Sequence, residues 1–396
     1  MLNLPVYLDN NSTTRVDPGV FDEMKPYFTE IYGNAASRTH EFGWKAGNAV
    51  ELARERIAGL IGAEHKEIIF TSGATESINL AIKGAAEIYG SKRNHIITTS
   101  VEHKAVLDTC SSLEKKGFNV TFIKTDTYGL IDIDELKSSI KENTLLVSVI
   151  HANNEIGTVN PVAEIGSICK SKNILFHVDA AQSAGKIPID VNNDNIDLMS
   201  FSAHKIYGPK GIGALYVRSR NPRVVLNAQI DGGGHERGFR SGTLNVPGIV
   251  GFGKACEIAM NEMDSESERI LNLRTKLFKG ITSGLNEVYL NGHPEKRLAN
   301  NLNLSFAGVD ADSLMASVKE IAVSSGSACS SASVEPSYVL KAIGINDKLI
   351  HSAVRFGLGR FTTAEEIDFT VQKIVEKVKY LRDVSPGYKL LKNQAS

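Results

Sequence analysis

Cysteine is scarce in this chain of 396 residues, which contains only four. They are Cys110, Cys169, Cys256 and Cys329. Four cysteines at such wide spacing are too few for a disulfide framework and too far apart for a zinc knuckle, so no metal site is predicted. Cys169 and Cys256 fall in helix-like segments and are typical small buried residues. Cys329 differs, because the surrounding run 324–333 consists of serine, glycine, alanine and this one cysteine, a composition typical of a mobile functional loop.

The sequence also lacks an excess of charge of either sign and lacks a long hydrophobic run. Lys plus Arg number 44 against 45 for Asp plus Glu, which argues against direct binding to nucleic acid or to a membrane. No apolar run reaches the roughly 18 residues of a membrane span. The start, Met1-Leu2-Asn3-Leu4-Pro5, lacks the basic flank and apolar core of a signal peptide. We therefore expect a cytoplasmic protein.

Internal repeats and low-complexity linkers are absent as well, and the composition is that of an ordinary globular enzyme. Because 396 residues exceed the size at which one hydrophobic core stops growing, we expect two domains. Through the first two thirds, apolar strands alternate with helical segments, which predicts an α/β fold with a mainly parallel sheet covered on both faces. The predicted strands are 67–71, 95–99, 120–123, 145–151, 174–179, 198–202 and 214–217, and the predicted helices between them include 75–89 and 104–116.

The pattern changes at about residue 263. A long amphipathic helix with apolar positions from Ile270 to Ile281 leads to short strands near Val288 and Asn303 and at 321–324. A final amphipathic helix spans the apolar positions Ile367 to Leu381. The sequence therefore predicts a large domain at 16–262 and a small α+β domain at 263–396, which the N-terminal segment 1–15 completes.

Lys205 and Asp179 together indicate a pyridoxal phosphate site. The apolar strand before Lys205 delivers it into a glycine-rich turn, at the edge of the sheet where open α/β folds bind ligands. A lysine whose pKa is depressed can form a Schiff base with the cofactor aldehyde, and an aspartate keeps the pyridine nitrogen protonated. The alternative is an ordinary solvated lysine.

Other polar residues follow separate predicted strands and converge on the same edge. Thr75 begins a helix whose free N–H groups suit a phosphate, although an ordinary capping box gives the same pattern. Ser202 and His204 could contact the same phosphate. His103 could stack on a planar cofactor or transfer protons, although a histidine at a strand end is often structural. Asn154 occupies a further strand end, and no Walker A motif occurs.

A series of motifs, in order along nearly the whole chain, resembles the cysteine desulfurases of the class V aminotransferase group, the IscS/NifS-like enzymes. The resemblance is closest to the housekeeping iron–sulfur-assembly type. The motifs are Tyr7-Leu8-Asp9-Asn10, Gly33-Asn34, Ser72-Gly73-Ala74-Thr75-Glu76, Glu102-His103, Asn153-Asn154-Glu155-Ile156-Gly157, Asp179-Ala180-Ala181-Gln182, Ser202-Ala203-His204-Lys205, Gly234-His235-Glu236-Arg237, Arg240-Ser241-Gly242-Thr243 and Ser325-Gly326-Ser327-Ala328-Cys329.

The resemblance implies a fold and a reaction. The expected fold is the pyridoxal phosphate-dependent transferase fold type I, with a seven-stranded sheet in the large domain. The expected enzyme is a homodimer that converts L-cysteine to L-alanine and forms a persulfide on Cys329. The expected recipients of the sulfur are acceptor proteins such as an iron–sulfur scaffold or a tRNA-thiolation relay protein. An enzyme that supplies sulfur for DNA modification would have the same sequence motifs.

The resemblance also implies roles for individual residues. Lys205 would carry the cofactor, Asp179 would pair with the pyridinium nitrogen and Gln182 would bond the ring oxygen. The whole cofactor-binding set would be Ala74, Thr75, His103, Asn154, Asp179, Gln182, Ser202, His204, Lys205 and, from the second subunit, Thr243. The substrate-binding set would be Asn34, Asn154 and Arg355, with a two-pronged fit of the guanidinium to the α-carboxylate. The catalytic set would be Lys205, Cys329 and His103. His103 would help to deprotonate the thiol of Cys329, because free thiols have a pKa near ~8.5 and are mostly protonated at neutral pH.

Two departures from the family pattern stand out. The end of the chain, 385–396, is shorter than the tail that housekeeping members use toward their scaffold partner, which puts that docking in doubt. Ser12 stands where the family usually has alanine, and we expect this change to be minor.

Other functions share part of the pattern. A selenocysteine lyase or another aminotransferase-like enzyme would use the same Lys205 and Asp179 but has less need of a cysteine in the 324–333 run. A non-enzymatic platform for sulfur transfer would not need catalytic residues, so the presence of Lys205, His103 and Cys329 argues against it.

Overall fold

The computed structural model describes residues 2–325, 336–385 and 388, and Cys329 lies outside them. The helices are α1 (Pro18–Met24), α2 (Pro26–Thr29), α3 (Glu41–Leu60), α4 (Ala74–Tyr89), α5 (Lys104–Glu114), α6 (Ile133–Ser139), α7 (Val162–Ser171), α8 (Val246–Gly284), α9 (Ala311–Ser317), α10 (Tyr338–Ala342), α11 (Asp347–Ile350) and α12 (Ala364–Val384). The strands are β1 (Val6–Tyr7), β2 (Ile68–Thr71), β3 (His95–Thr99), β4 (Asn119–Ile123), β5 (Thr144–Ile150), β6 (Leu175–Asp179), β7 (Leu198–Ser202), β8 (Gly213–Val217), β9 (Val288–Asn291), β10 (Asn301–Phe306), β11 (Ile321–Ala322) and β12 (Ala353–Gly357).

Seven strands form the large sheet, in the order β2-β8-β7-β6-β5-β3-β4. Strand β8 runs antiparallel to its neighbours β2 and β7, and the other neighbouring pairs are parallel. Helices cover both faces: Leu215 belongs to the hydrophobic cluster that contains α4 and α5, and Tyr216 to the cluster that contains α3 and α8. The α/β class and the mainly parallel seven-stranded sheet are confirmed.

A single long helix connects the two main parts of the hydrophobic interior. Helix α8 begins after Asn245, whose side chain accepts a hydrogen bond from the backbone N–H of Gly248. Its first half packs in the cluster under the large sheet, and its second half, at Leu277 and Ile281, packs in a separate cluster. The predicted boundary between 262 and 263 falls inside this continuous helix, and the division into two domains stays a prediction.

The second cluster lies against two small sheets. One is antiparallel, with the order β12-β10-β9, and the other pairs β1 with β11 in parallel. The pairing of Val6 with Ile321 brings the N-terminal segment against the C-terminal third of the chain, and its assignment to a small domain stays a prediction. No strand is predicted from the sequence at 353–357, although β12 carries Arg355 opposite Asn303 of β10.

Element boundaries agree closely with the pattern of apolar residues. Strands β3 and β7 have the predicted bounds. Helix α5 ends at Glu114 rather than at Lys116, because the chain turns at Gly117, which has a φ of 92° that favours glycine. Within the described part of the chain, no helix is both long enough and apolar enough to cross a membrane.

Candidate active site

A cavity of about 510 Å³ lies at the carboxyl edge of the large sheet. It is lined by the predicted residues Ala74, Thr75, His103, Asn154, Asp179, Gln182, Ser202, His204, Lys205 and Arg355. It is also lined by residues that the sequence analysis did not select, among them Asn11, Ser12, Thr13, Ser72, Gly73, Glu76, Lys210 and Gly211. The structure therefore brings together side chains from the ends of several parallel strands, as open α/β folds do.

Helix α4 presents its N-terminus to one end of the cavity. Gly73 precedes the helix and packs against Gly213 at the start of β8. The two backbones are so close that a Cβ atom on Gly213 would lie 2.6 Å from the Cα of Gly73. Lys210 lines the same end and adds positive charge. The helix N-terminus and this lysine make the end of the cavity suitable for a phosphate.

His204 lies beside this end of the cavity as a neutral ring. Burial and the positive charge of Lys205 lower the pKa of His204 to about 4. Its Nδ1 lies 3.1 Å from the hydroxyl oxygen of Thr13, so the N-terminal segment helps to orient the ring. A neutral histidine can still donate one hydrogen bond to an anion.

Asp179 ends strand β6 and is buried. Burial raises the pKa of Asp179, while the charges of His103 and Lys205 oppose that change. The backbone N–H of Ala181 donates to its Oδ1 at 2.9 Å. A buried carboxylate gains most from a cationic partner, so this position suits a protonated ring nitrogen.

His103 caps the helix that follows it. Its Nδ1 accepts a hydrogen bond of 3.1 Å from the backbone N–H of Ala105, at the first turn of α5. When the ring is neutral, its proton is therefore on Nε2.

Lys205 lies in a short 3-10 turn directly after strand β7. Its Nζ donates to the backbone carbonyls of Asn11 and Ser12, each at 2.6 Å. Gln182 donates from Nε2 to the same carbonyl of Asn11 at 2.8 Å, and the Asn11 side chain returns a bond to Gln182 Oε1. The N-terminal segment thus forms one wall of the cavity and contacts three predicted cofactor residues, Gln182, His204 and Lys205.

Arg355 reaches the cavity from strand β12 and is almost fully buried. Its Nη1 donates to the backbone carbonyl of Asn154, and its Nη2 donates to Asp9 and Ser12. Within the described residues, Arg355 Nε and Asn154 Oδ1 are buried without a hydrogen-bond partner. Buried polar atoms rarely lack a hydrogen-bond partner in folded proteins. These two atoms therefore indicate that a polar ligand binds between Arg355 and Asn154.

Two buried glutamates are sequence neighbours of cavity residues: Glu102 precedes His103, and Glu155 follows Asn154. Burial raises the pKa of Glu102 to about 8, and its Oε1 accepts from Thr99 Oγ1 and from the backbone N–H of Ile150. Burial raises the pKa of Glu155 to about 7, and Glu155 accepts a hydrogen bond from the hydroxyl of Ser337. The sequence motifs include both glutamates, but no residue pattern assigns them a role.

Three predicted site residues are not among those that line the cavity. Asn34 is exposed, and its side chain accepts a hydrogen bond from the backbone N–H of Ala36. Thr243 is exposed as well. Cys329 lies outside the described residues. The roles of these three residues stay predictions.

The cavity fits pyridoxal phosphate. It offers a helix N-terminus and positive charge at one end, a buried carboxylate at Asp179, and a lysine amine at Lys205. These groups match the phosphate, the ring nitrogen and the aldehyde of that cofactor.

Comparisons with known proteins agree with this chemistry. The family model for aminotransferase class-V matches residues 6–369. The cysteine desulfurase IscS of Anaeromyxobacter sp. (strain Fw109-5) is 58% identical over 391 residues, which cover 99% of this chain and 96% of the relative. The cysteine desulfurase IscS of Escherichia coli O139:H28 is 56% identical over 393 residues, which cover 99% of this chain and 97% of the relative. The chain belongs to the class V aminotransferases, and within them to the cysteine desulfurases.

Solved structures support the same family. A NifS-like protein has a TM-score of 0.88 at 41% identity, over 95% of this chain and 99% of that chain. A structure described as SspA in complex with cysteine has a TM-score of 0.80 at 40% identity, over 90% of this chain and all of that chain, 100%. The resemblance predicted from the motifs is confirmed, as are the fold type and the dependence of this enzyme on pyridoxal phosphate.

Proposed function

We propose that this cysteine desulfurase takes sulfur from L-cysteine with the residues of the described cavity and holds it as a persulfide on Cys329. In the overall reaction, the C–S bond of the substrate breaks and an S–S bond forms to Cys329. The substrate carbon takes a proton in place of the sulfur, so that L-alanine leaves. The observation that carries this proposal is the meeting of Lys205, Asp179 and Arg355 in one cavity.

Arg355 and Asn154 are the proposed substrate-binding pair. Both have a buried polar atom without a partner within the described residues, and both line the cavity. A guanidinium binds a carboxylate through two parallel hydrogen bonds, which also fixes the orientation of the amino acid. We assign the α-carboxylate of L-cysteine to Arg355. This assignment gains support from the relative whose structure is described as a complex with cysteine.

Asp179, Gln182, Thr75, Ser202 and His204 are the proposed holders of the cofactor. When bound, pyridoxal phosphate supplies an aromatic ring that accepts electrons from the substrate carbon. The buried carboxylate of Asp179 would keep the ring nitrogen charged. Thr75, Ser202 and the neutral ring of His204 would hold the phosphate with the N-terminus of α4.

Lys205 and His103 are the proposed groups that move protons. The Nζ of Lys205 would first give up its hydrogen bonds to the carbonyls of Asn11 and Ser12. It would then move the proton on the substrate α-carbon. His103 would help to deprotonate the thiol of Cys329. Because its Nε2 carries the proton when the ring is neutral, its Nδ1 would have to give up the bond from the Ala105 N–H and take the thiol proton there. The thiolate is the species that attacks sulfur.

A homodimer is part of the proposal. Thr243 is exposed and does not line the cavity of its own chain, which suits a residue that completes the site of a second subunit. A mixture of Lys205→Ala and Thr243→Ala chains tests this arrangement, because one of the two sites in a mixed dimer would keep both residues. We expect the mixture to recover activity that neither variant has alone.

The sulfur acceptor is proposed as a protein of iron–sulfur cluster assembly or of tRNA thiolation. Support comes from the relatives named IscS, which cover nearly the full length of the chain. A pull-down with persulfide trapping at Cys329 from the native cell would identify the acceptor. Capture of an acceptor that serves neither process would overturn this part of the proposal.

The variant Cys329→Ala tests the proposed reaction. We expect it to keep the absorbance of the cofactor and the spectral change on addition of L-cysteine, because the cavity residues are intact. We expect it to lose production of L-alanine in the presence of L-cysteine, because no thiolate takes the sulfur. The variant Cys256→Ala, at a buried position on α8 that does not line the cavity, is the matched control and should retain turnover. Full turnover by Cys329→Ala would contradict the proposal.

A further inference from the structure

Ser12 contacts two of the residues that line the cavity, Lys205 and Arg355. Its backbone carbonyl accepts a hydrogen bond from Lys205 Nζ at 2.6 Å. Its hydroxyl accepts a hydrogen bond from Arg355 Nη2 at 2.7 Å and donates one to Asp9 Oδ1 at 2.9 Å. An alanine at this position could make neither of the two hydroxyl contacts.

The Ser12 hydroxyl accepts a hydrogen bond from Arg355 Nη2, the nitrogen that a substrate carboxylate also needs. The two hydrogens of Arg355 Nη2 serve Ser12 Oγ and Asp9 Oδ1, the latter at 3.0 Å. A carboxylate that binds a guanidinium by two parallel bonds uses Nε with Nη2 on one edge, or Nη1 with Nη2 at the tip. Both arrangements include Nη2. A two-pronged fit therefore requires that one present partner of Nη2 leaves.

Ser12 is the partner that can leave at the lower cost. Asp9 is a charged acceptor, and charge-assisted hydrogen bonds are roughly twice as strong as neutral ones. The hydroxyl of Ser12 can give up its bond to Arg355 and keep the one it donates to Asp9. No buried polar group is then left without a partner, so the exchange costs one neutral acceptor only.

We propose that the Ser12 hydroxyl competes with the α-carboxylate of the substrate for Arg355 and thereby lowers the affinity of this enzyme for L-cysteine. This inference rests on the proposed role of Arg355. The competition affects the bound substrate and the transition state equally, because the carboxylate is held through the whole reaction. A change at Ser12 should therefore alter KM and leave kcat nearly constant.

The variant Ser12→Ala tests the competition. We expect its KM for L-cysteine to fall by about three- to tenfold, the ratio that corresponds to one net hydrogen bond, with kcat within about twofold of the wild type. A turnover-free readout uses Ser12→Ala in the Cys329→Ala background, titrated with L-cysteine and followed by cofactor absorbance. The apparent Kd should fall by the same factor. L-Cysteine methyl ester, which has no carboxylate, should bind both backgrounds equally.

Controls separate this effect from a general disturbance of the site. Ser12→Thr restores a hydroxyl and should return KM to the wild-type value. Ser265→Ala removes an exposed hydroxyl on α8 that bonds only within its own helix in the described structure, and it should change nothing. A KM for Ser12→Ala that is unchanged or raised, or an equal gain for the methyl ester, would overturn the inference. Failure of the wild type to turn over L-cysteine would instead overturn the proposed function.

Discussion

The two sides of the cavity are built in different ways. The proposed cofactor side takes its residues from the ends of three strands that run in the same direction: Thr75 follows β2, Asp179 ends β6 and Lys205 follows β7. The proposed substrate side joins Arg355 of β12 to Asp9 and Ser12, which lie 346 and 343 positions away along the chain. One side therefore follows from local sequence pattern and the other from the packing of distant segments.

The largest expected effect is on the cofactor side. Lys205→Ala removes the amine that we propose to hold the cofactor and to move the substrate proton. We expect turnover to fall by at least about a thousandfold, because both nucleophilic and acid–base catalysis are lost. The measurement is alanine production under saturating L-cysteine. Lys186→Ala, at a neighbouring lysine whose pKa burial lowers to about 7, should retain more than a tenth of the activity if Lys205 alone performs these steps.

Asp179→Asn tests the same side with a smaller change. The amide keeps the shape of the carboxylate but removes its charge, so the ring nitrogen loses the partner that keeps it protonated. We expect kcat to fall by about a hundredfold while KM changes little. Steady-state kinetics measure both quantities. A loss confined to KM would place Asp179 on the substrate side and break the comparison.

Arg355→Lys tests the substrate side. A lysine keeps the positive charge but cannot make two parallel bonds to a carboxylate. We expect KM for L-cysteine to rise about ten- to a hundredfold, with a smaller loss in kcat. Arg220→Lys, at an exposed arginine paired with Glu64, is the control and should leave both constants unchanged. An unchanged KM in Arg355→Lys would show that the carboxylate binds elsewhere.

The smallest expected effect concerns Glu102 and the stability of the fold. The pKa of this buried acid is raised to about 8 from 4.5, so the folded chain keeps a proton that the unfolded chain releases. Between these two values the unfolded state binds fewer protons, and stability from this group falls as the pH rises. Glu102→Gln is neutral at every pH, so its thermal midpoint relative to the wild type should increase by a few degrees between pH 5 and pH 8.

Glu114→Gln is the control for that experiment, since Glu114 is exposed at the end of α5. Its thermal midpoint should follow the wild type at each pH. If Glu102→Gln also follows the wild type, Glu102 is charged in the folded protein and its burial does not favour the neutral form.

That the residues of the proposed cofactor side meet in one cavity can be predicted from the sequence for a physical reason. Apolar runs mark buried strands, and in a parallel sheet the residues after those strands meet at one edge. Strand β3 and strand β7 have their predicted bounds, and His103 and Lys205 follow them into the cavity.

The substrate side depends on long-range contacts that no local pattern contains. No strand is predicted at 353–357, and the role of Arg355 is predicted only from the resemblance. Likewise, nothing near Ser12 in the sequence indicates a contact with Arg355, so the serine was expected to be a minor change. Its hydroxyl instead lies between Arg355 and Asp9.

The most direct test of this account is the site of covalent attachment of pyridoxal phosphate. Lys186, Lys205 and Lys210 all lie in or beside the cavity, but only Lys205 follows a strand of the large sheet and contacts the N-terminal segment through two carbonyls. Reduction of the loaded enzyme with borohydride, followed by peptide mapping, should find the cofactor on Lys205. A cofactor fixed to Lys186 or Lys210, or to no lysine at all, would contradict the account.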